Sequence, residues 1–229
     1  MVGEQFDVVG DEEGPMADHA TTLDLTMMYA VHDALRRDAA QLARISRQTG
    51  DDPWRRLRSA VGWELFTRFL HVHHTTEDVT IWPVMRGTLA DRPDDLALLD
   101  AMESEHARLD SLITQVDAAL TDADHGHERL GDLVDALVTE LSAHLRHEEK
   151  EGLPLIDAVL TPQQWQRFGE EHRRRVGSDA SRYLPWLLEG ADPQYAVTIL
   201  SRIPAQFQQA YHAEWRAAFA GLDRWGAAA

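Results

Sequence analysis

The chain has 229 residues, no cysteine, and 39 acidic against 22 basic residues, giving a formal net charge of −17. That length holds one domain with an extension, or two small ones, with a real buried core. The missing cysteines exclude disulfides, thiolate-held metals and cysteine nucleophiles, and the acidic balance argues against nucleic acid and anionic membrane surfaces as partners.

Residues 1–20 are acidic and Gly-rich with little periodicity, which predicts a flexible acidic arm. Met1 to Asp18 carries no basic residue and no apolar stretch, so no secretory leader is expected. No apolar run approaches the ~20 residues that span a bilayer, and a cytoplasmic protein is expected. Thr21-Thr22-Leu23-Asp24 offers an N-terminal cap. Behind it Leu25, Met28, Val31, His32, Leu35, Ala39 and Leu42 recur at helical spacing, predicting a first helix from about Thr22 to about Gln48.

Gly50-Asp51-Asp52-Pro53 reads as a turn, and Pro53 opens a second helix through Leu57, Val61, Leu65, Phe69, His73 and Glu77 to Pro83. A third helix is predicted from about Asp94 to Leu120 along Leu98, Met102, His106, Leu109 and Val116. A fourth covers about Glu128 to Lys150 along Leu133, Leu137, Leu141, His144 and Glu148. No strand pattern interrupts them. Four long amphipathic helices with short connections predict an all-α, antiparallel up-down four-helix bundle over residues 21–160. Residues 161–229 restart with the capped Thr161-Pro162-Gln163-Gln164 and contain Trp165, Trp186, Trp215 and Trp225. Pro185, Pro193 and Pro204 are expected to break this part into short helices. A tail so apolar is expected to dock on the bundle.

Two segments carry the chemistry. His73-His74-Thr75-Thr76-Glu77-Asp78 and His144-Leu145-Arg146-His147-Glu148-Glu149 align position for position, each with a proline six residues after the aligned Glu, at Pro83 and Pro154. His32 and His106 sit at corresponding depths in the helix before each segment. Side chains four residues apart share one helix face. Each His-x-x-x-Glu can therefore hold one metal ion, or part of a bridged pair, with an imidazole added from across the core. The predicted metal ligands are His32, His73, Glu77, His106, His144 and Glu148. A single such motif is usually a surface pair, but two in register on apolar stripes are not explained by surface pairing. Nitrogen and oxygen donors without thiolate suit iron, and less firmly manganese or zinc. A ferritin-like pattern fails on count, because Glu103-Ser104-Glu105-His106 supplies a single Glu-x-x-His.

These residues resemble the hemerythrin-like, or HHE cation-binding, family over about residues 22–160. The Trp-rich tail resembles extensions on some actinobacterial members. The resemblance implies an oxo- or hydroxo-bridged di-iron site, with both Glu bridging, that binds O2, peroxide or nitric oxide. The chain departs from the oxygen-carrying hemerythrins. Met102 and Asp110 stand four residues either side of His106 where a second histidine is needed, and the fourth-helix carboxylate is a Glu four residues after its His. The departures suit the broader family of sensors, iron-handling and peroxide-reactive proteins.

Three functional expectations follow: a protein that binds and reacts with O2 or peroxide, catalase-like if an enzyme; an O2 or NO sensor or store without turnover; and a di-iron oxidase or oxygenase acting on a small organic substrate. A homodimer through the C-terminal helices is one use of the extension. Tyr29, His74 and Asp78 are the candidate proton-handling groups, and His74 is also a candidate fifth histidine ligand, against the symmetry because its counterpart is Leu145. His71 and His147 fall off register and are read as solvated; His19, His125 and His127 lie in polar loops; His172 and His212 default to packing or surface.

Overall fold

The structure is a computed structural model that describes residues 23–47 and 53–226. The predicted acidic arm, the Thr21-Thr22 cap and Gly50 to Asp52 lie outside the described residues. Every regular element described is helical: α1 Thr26–Ser46, α2 Pro53–Ser59, α3 Val61–Thr80, α4 Trp82–Thr88, α5 Pro93–Thr121, α6 Gly126–His147 and α7 Leu153–Val159, then α8 Pro162–Val176, α9 Ala180–Leu188, α10 Pro193–Leu200, α11 Ala205–Ala210 and α12 Arg216–Ala220. None is long and apolar enough to cross a membrane.

The long helices pack in a closed order, α5 on α6, α6 on α1, α1 on α3 and α3 on α5. Their chain directions follow from two apolar layers. Met28, Ile81, Met102 and Leu153 belong to one buried cluster. Leu35, Leu70, Leu109 and Leu141 belong to the other. α1 and α5 run from the first layer to the second, whereas α3 and α6 run back. His32, His73, His106 and His144 each fall between the two layers on their helix, so the polar residues form a seam across an otherwise apolar core.

Several boundaries differ from the periodicity. The second helix is split at Ala60, which takes an extended backbone with ψ of 115°. The chain's own tail occupies that place: Gly62 N–H donates to the Arg224 carbonyl at 2.7 Å, and a Cβ on Gly62 would lie 2.5 Å from the Trp225 ring. α1 starts later than expected, with Thr26 N–H donating to Asp24 Oδ1. Pro185 lies inside α9 and does not end it. Every residue from Tyr183 to Leu188 is buried there, and tertiary burial offsets the one backbone bond that proline removes. α8 is closed at its start by a reciprocal Thr161–Gln164 capping box and at its end by Gly177, whose φ of 52° suits only glycine.

The C-terminal helices seat on α1 and α3 through polar and aromatic contacts. Trp186 is fully buried and its indole donates to Asp38 Oδ2 at 2.7 Å. Arg37 donates to the carbonyls of Trp186 and Glu189. Phe69 of α3 packs its ring 5.0 Å from that of Tyr183 and 4.8 Å from that of Trp186.

Candidate metal centre

α3 and α6 position the two His-x-x-x-Glu motifs, and both helices are interrupted just beyond them. Pro83 and Pro154 each lack the N–H that would continue a helix. After α3 the chain turns at Ile81 and restarts as α4. After α6 it widens into a π-turn over Glu148–Gly152, where Leu153 N–H reaches back to the Glu148 carbonyl. Such one-turn widenings cluster at functional sites because they re-aim one side chain. Gly152 keeps the turn close to the ligand, since a Cβ there would lie a tight 3.1 Å from Glu148 Cγ.

The histidines and glutamates converge. The imidazoles of His32, His73 and a Glu148 oxygen form one trio, and those of His74, His106 and His144 a second, with the donor atoms of each trio within 4.8 Å of one another. His32 Nε2 lies 3.1 Å from His73 Nε2 and 3.1 Å from Glu148 Oε2. Two donors about 2.1 Å from one ion at right angles are about 3 Å apart, so this spacing is that of neighbouring ligands. Glu77 faces both trios, with Oε1 3.3 Å from His73 Nδ1 and Oε2 3.5 Å from His106 Nε2. Glu148 reaches both sides with a single oxygen, its Oε2 lying 3.1 Å from His32 Nε2 and 3.9 Å from His144 Nε2. His74 stacks on His106 with ring centroids 3.9 Å apart. All seven side chains are at most 2 % exposed.

Behind them stands a ring of carboxylates. His32 Nδ1 donates to Glu149 at 2.9 Å, His106 Nδ1 to Asp78 at 2.8 Å and His144 Nδ1 to Glu105 at 2.9 Å. A carboxylate on the outer nitrogen fixes the ring and presents Nε2 inward. Glu149 is itself gripped by two parallel bonds from Arg36, both 2.7 Å. The inward atoms are left over: both nitrogens of His74, Nε2 of His106 and of His144, both oxygens of Glu77 and Glu148 Oε1 make no hydrogen bond. Buried polar atoms without partners are costly, and so many aimed at one point are what a metal pair would satisfy. The residues present therefore fit bound cations.

The charges agree with that reading. Burial pushes His73 and His74 well below the usual imidazole range. Burial, with the neighbouring Glu148 charge, pushes Glu77 well above the usual carboxylate range. Burial also opposes ionisation of His32, yet Glu148 and Glu149 overcome it and raise His32 to about 9. Without cations, the site holds its carboxylate charge only by protonating an imidazole.

Residues 23–156 match the model of the hemerythrin HHE cation-binding domain. The chain belongs to the hemerythrin HHE family. This is a metal-binding domain, and its two donor trios are the groups that can hold the metal. None of the curated proteins or solved structures compared with the chain matches it.

The structure brings together all six residues marked by the repeat and adds His74, which is buried against His106 and His144. Two of the three proton-handling candidates are placed differently. Tyr29 is 40 % exposed, unlike the buried residues of the seam. Asp78 is engaged behind His106, at the place where its aligned partner Glu149 engages His32. His147 is half-buried and donates to Glu105, correcting its reading as solvated. His71 is exposed, as its register requires. Glu105 was passed over because it carries no motif; the sequence signal was its position one residue before His106, facing α6.

Proposed function

We propose that the chain is an up-down four-helix bundle that holds a di-iron centre and binds and reacts with O2 or peroxide. His74, His106 and His144 would hold one ion, His32 and His73 the other, and Glu77 and Glu148 would bridge them. Iron would supply the redox chemistry when bound; manganese or zinc fits the same donors less well. The observation that carries the reading is Glu77, which turns one oxygen to each trio. The chain's residues do the rest: Glu149, Asp78 and Glu105 lock the rings, and the two apolar layers exclude water. Three histidines serve one side and two the other, which leaves the His32–His73 side short of a protein donor and free to accept a small ligand.

A second reading, an O2 or NO binder without turnover, is favoured by one observation. Tyr29 and Asp78 are not available to deliver protons, since the first faces solvent and the second is tied to His106. One experiment separates the two. Metal content and the optical spectrum of the purified protein are measured, then peroxide is added and oxygen release followed. Two irons with oxygen evolution that Glu148→Ala abolishes supports turnover. A stable new visible band without evolution supports the binder. No iron, or a single zinc, overturns both.

A further inference from the structure

A cavity of about 200 Å³ lies between α1 and α3 on one side and the C-terminal helices on the other. Most of its wall is apolar, from Met27, Val31, Phe168, Leu184, Phe207 and Trp215. Its lining also includes Arg173, Arg202 and Pro204, which are exposed and mark its mouth. Arg202 is tied to Asp24 at 2.6 Å. At depth three polar groups interrupt the apolar wall: His73 of the metal centre, and His172 and Tyr183 of the extension.

His172 and Tyr183 belong to no site described above. Their rings lie 5.4 Å apart, and His172 Nε2 and Tyr183 Oη are buried without a hydrogen-bond partner. Tyr183 is 8 % exposed and packs between Phe69 and Trp186. Packing alone would be served by a phenylalanine, because a buried hydroxyl left unpaired is destabilising. Two such groups side by side, opening on a cavity, call for a polar atom brought by a ligand. Burial, and then the Arg173 charge, lowers His172 to about 4, so the ring is neutral near pH 7. Neutral partners at depth match an uncharged group, and the Arg173 and Arg202 charges stand at the exposed mouth instead.

We propose that this cavity binds a small uncharged apolar molecule carrying one hydroxyl or carbonyl group, held by Tyr183 and His172 beside His73. The size suits a substituted phenol, since an engineered cavity of about 150 Å³ takes benzene. The link to chemistry at His73 rests on the di-iron reading above; the binding does not.

The test uses the full chain as purified, with metal content measured, and three probes: 4-ethylphenol, ethylbenzene and 4-ethylbenzoate. Binding is read by calorimetry and by the fluorescence of Trp215 and its neighbours. 4-Ethylphenol is expected to bind one per chain, ethylbenzene three- to tenfold more weakly, and 4-ethylbenzoate more weakly still. Tyr183→Phe, which keeps the ring, should bring 4-ethylphenol down to the level of ethylbenzene. Ala180→Phe, which fills the cavity, should abolish binding of all three while the metal content stays unchanged. In the metal-loaded protein 4-ethylphenol should shift the optical spectrum of the centre, and it should not do so in Ala180→Phe. Failure of 4-ethylphenol to saturate the metal-loaded protein, or tightest binding by the carboxylate, overturns the pocket and leaves the centre standing. Binding to a protein that carries no iron overturns the centre and leaves the pocket standing. Saturation without a spectral shift overturns the placement beside His73.

Discussion

His73, of the His32–His73 side, lines the cavity under the C-terminal helices, whereas His74, His106 and His144 crowd together, with His106 tilted against the buried Trp82 at 6.3 Å. The outer contacts of His32 and His106 are nevertheless equivalent. Glu149 of the α6 motif holds His32 of α1, and Asp78 of the α3 motif holds His106 of α5. The repeat thus builds a pseudo-symmetric frame, and one exchange, His74 against Leu145, makes the contents unequal. Leu145 joins the apolar core while His74 joins a trio. On the proposed two-ion reading, a symmetric frame with an asymmetric filling would let one ion position take more protein donors while the other stays receptive.

The largest effect should come from the shared residues. Glu77→Ala or Glu148→Ala removes a donor common to both sides, so both ions should be lost together, as read by elemental analysis of the purified variant. Retention of two ions would break the bridging assignment. His74→Leu should be more selective, because it makes the halves alike. One ion should bind at least tenfold more weakly while the other is kept, and a metal titration should show two unequal phases; loss of both at once would mean that the trios are not separate sites.

The outer carboxylates test whether the frame is symmetric in energy as well as in geometry. Asp78→Asn and Glu149→Gln should each lower metal affinity about 10–100-fold, the usual consequence of removing a ring-orienting partner. The Glu149 variant should be the weaker, because it also loses the paired Arg36 bonds. A competition titration against a chelator measures both. In metal-free protein the same contacts predict a pH dependence. His32 is raised from 6.5 to about 9 in the folded chain, first against burial and then by Glu148 and Glu149. A raised imidazole stabilises the fold fully below pH 6.5 and ceases to do so as pH rises through 9. Burial-depressed His73 and His74 act below 6.5, outside that window. Glu77, raised well above the usual carboxylate range, loses stability in the same direction as pH rises. Unfolding of the metal-free protein between pH 6.5 and 9 should therefore show a loss to which His32 contributes on the order of 3 kcal/mol, and His32→Gln should lessen it by that share.

Much of this was legible in the sequence, for a physical reason: a helix with one buried face repeats its ligands at i and i+4, and a duplicated half repeats the repeat. The long helices, the seam and six of its side chains follow from that. What escaped depends on contacts distant in the chain. The break at Ala60 is set by Trp225, about 165 positions away, and Pro185 is tolerated because α9 is buried on Asp38 and Phe69. The π-turn at Glu148 leaves no periodic mark. The role of Glu105 is visible only once α5 faces α6. For Asp78 and Glu149 the alignment of the two motifs did carry the signal.

His147 gives the smallest effect and the sharpest test of that register. Its Nδ1 donates to Glu105 Oε1 at 2.9 Å while His144 occupies the other oxygen, so it steadies the carboxylate that steadies a ring. Its side chain is 30 % exposed, and solvent can replace its bond when it is removed. His147→Ala should keep two ions per chain and lower affinity less than threefold, whereas Glu105→Gln, one step nearer, should lower it about 10–100-fold. The ratio matters more than either value. A His147 variant as damaging as the Glu105 variant would place the ligand face of α6 three residues further along, on His147 and Glu151, and would dismantle the alignment of the two halves from which the whole seam was read.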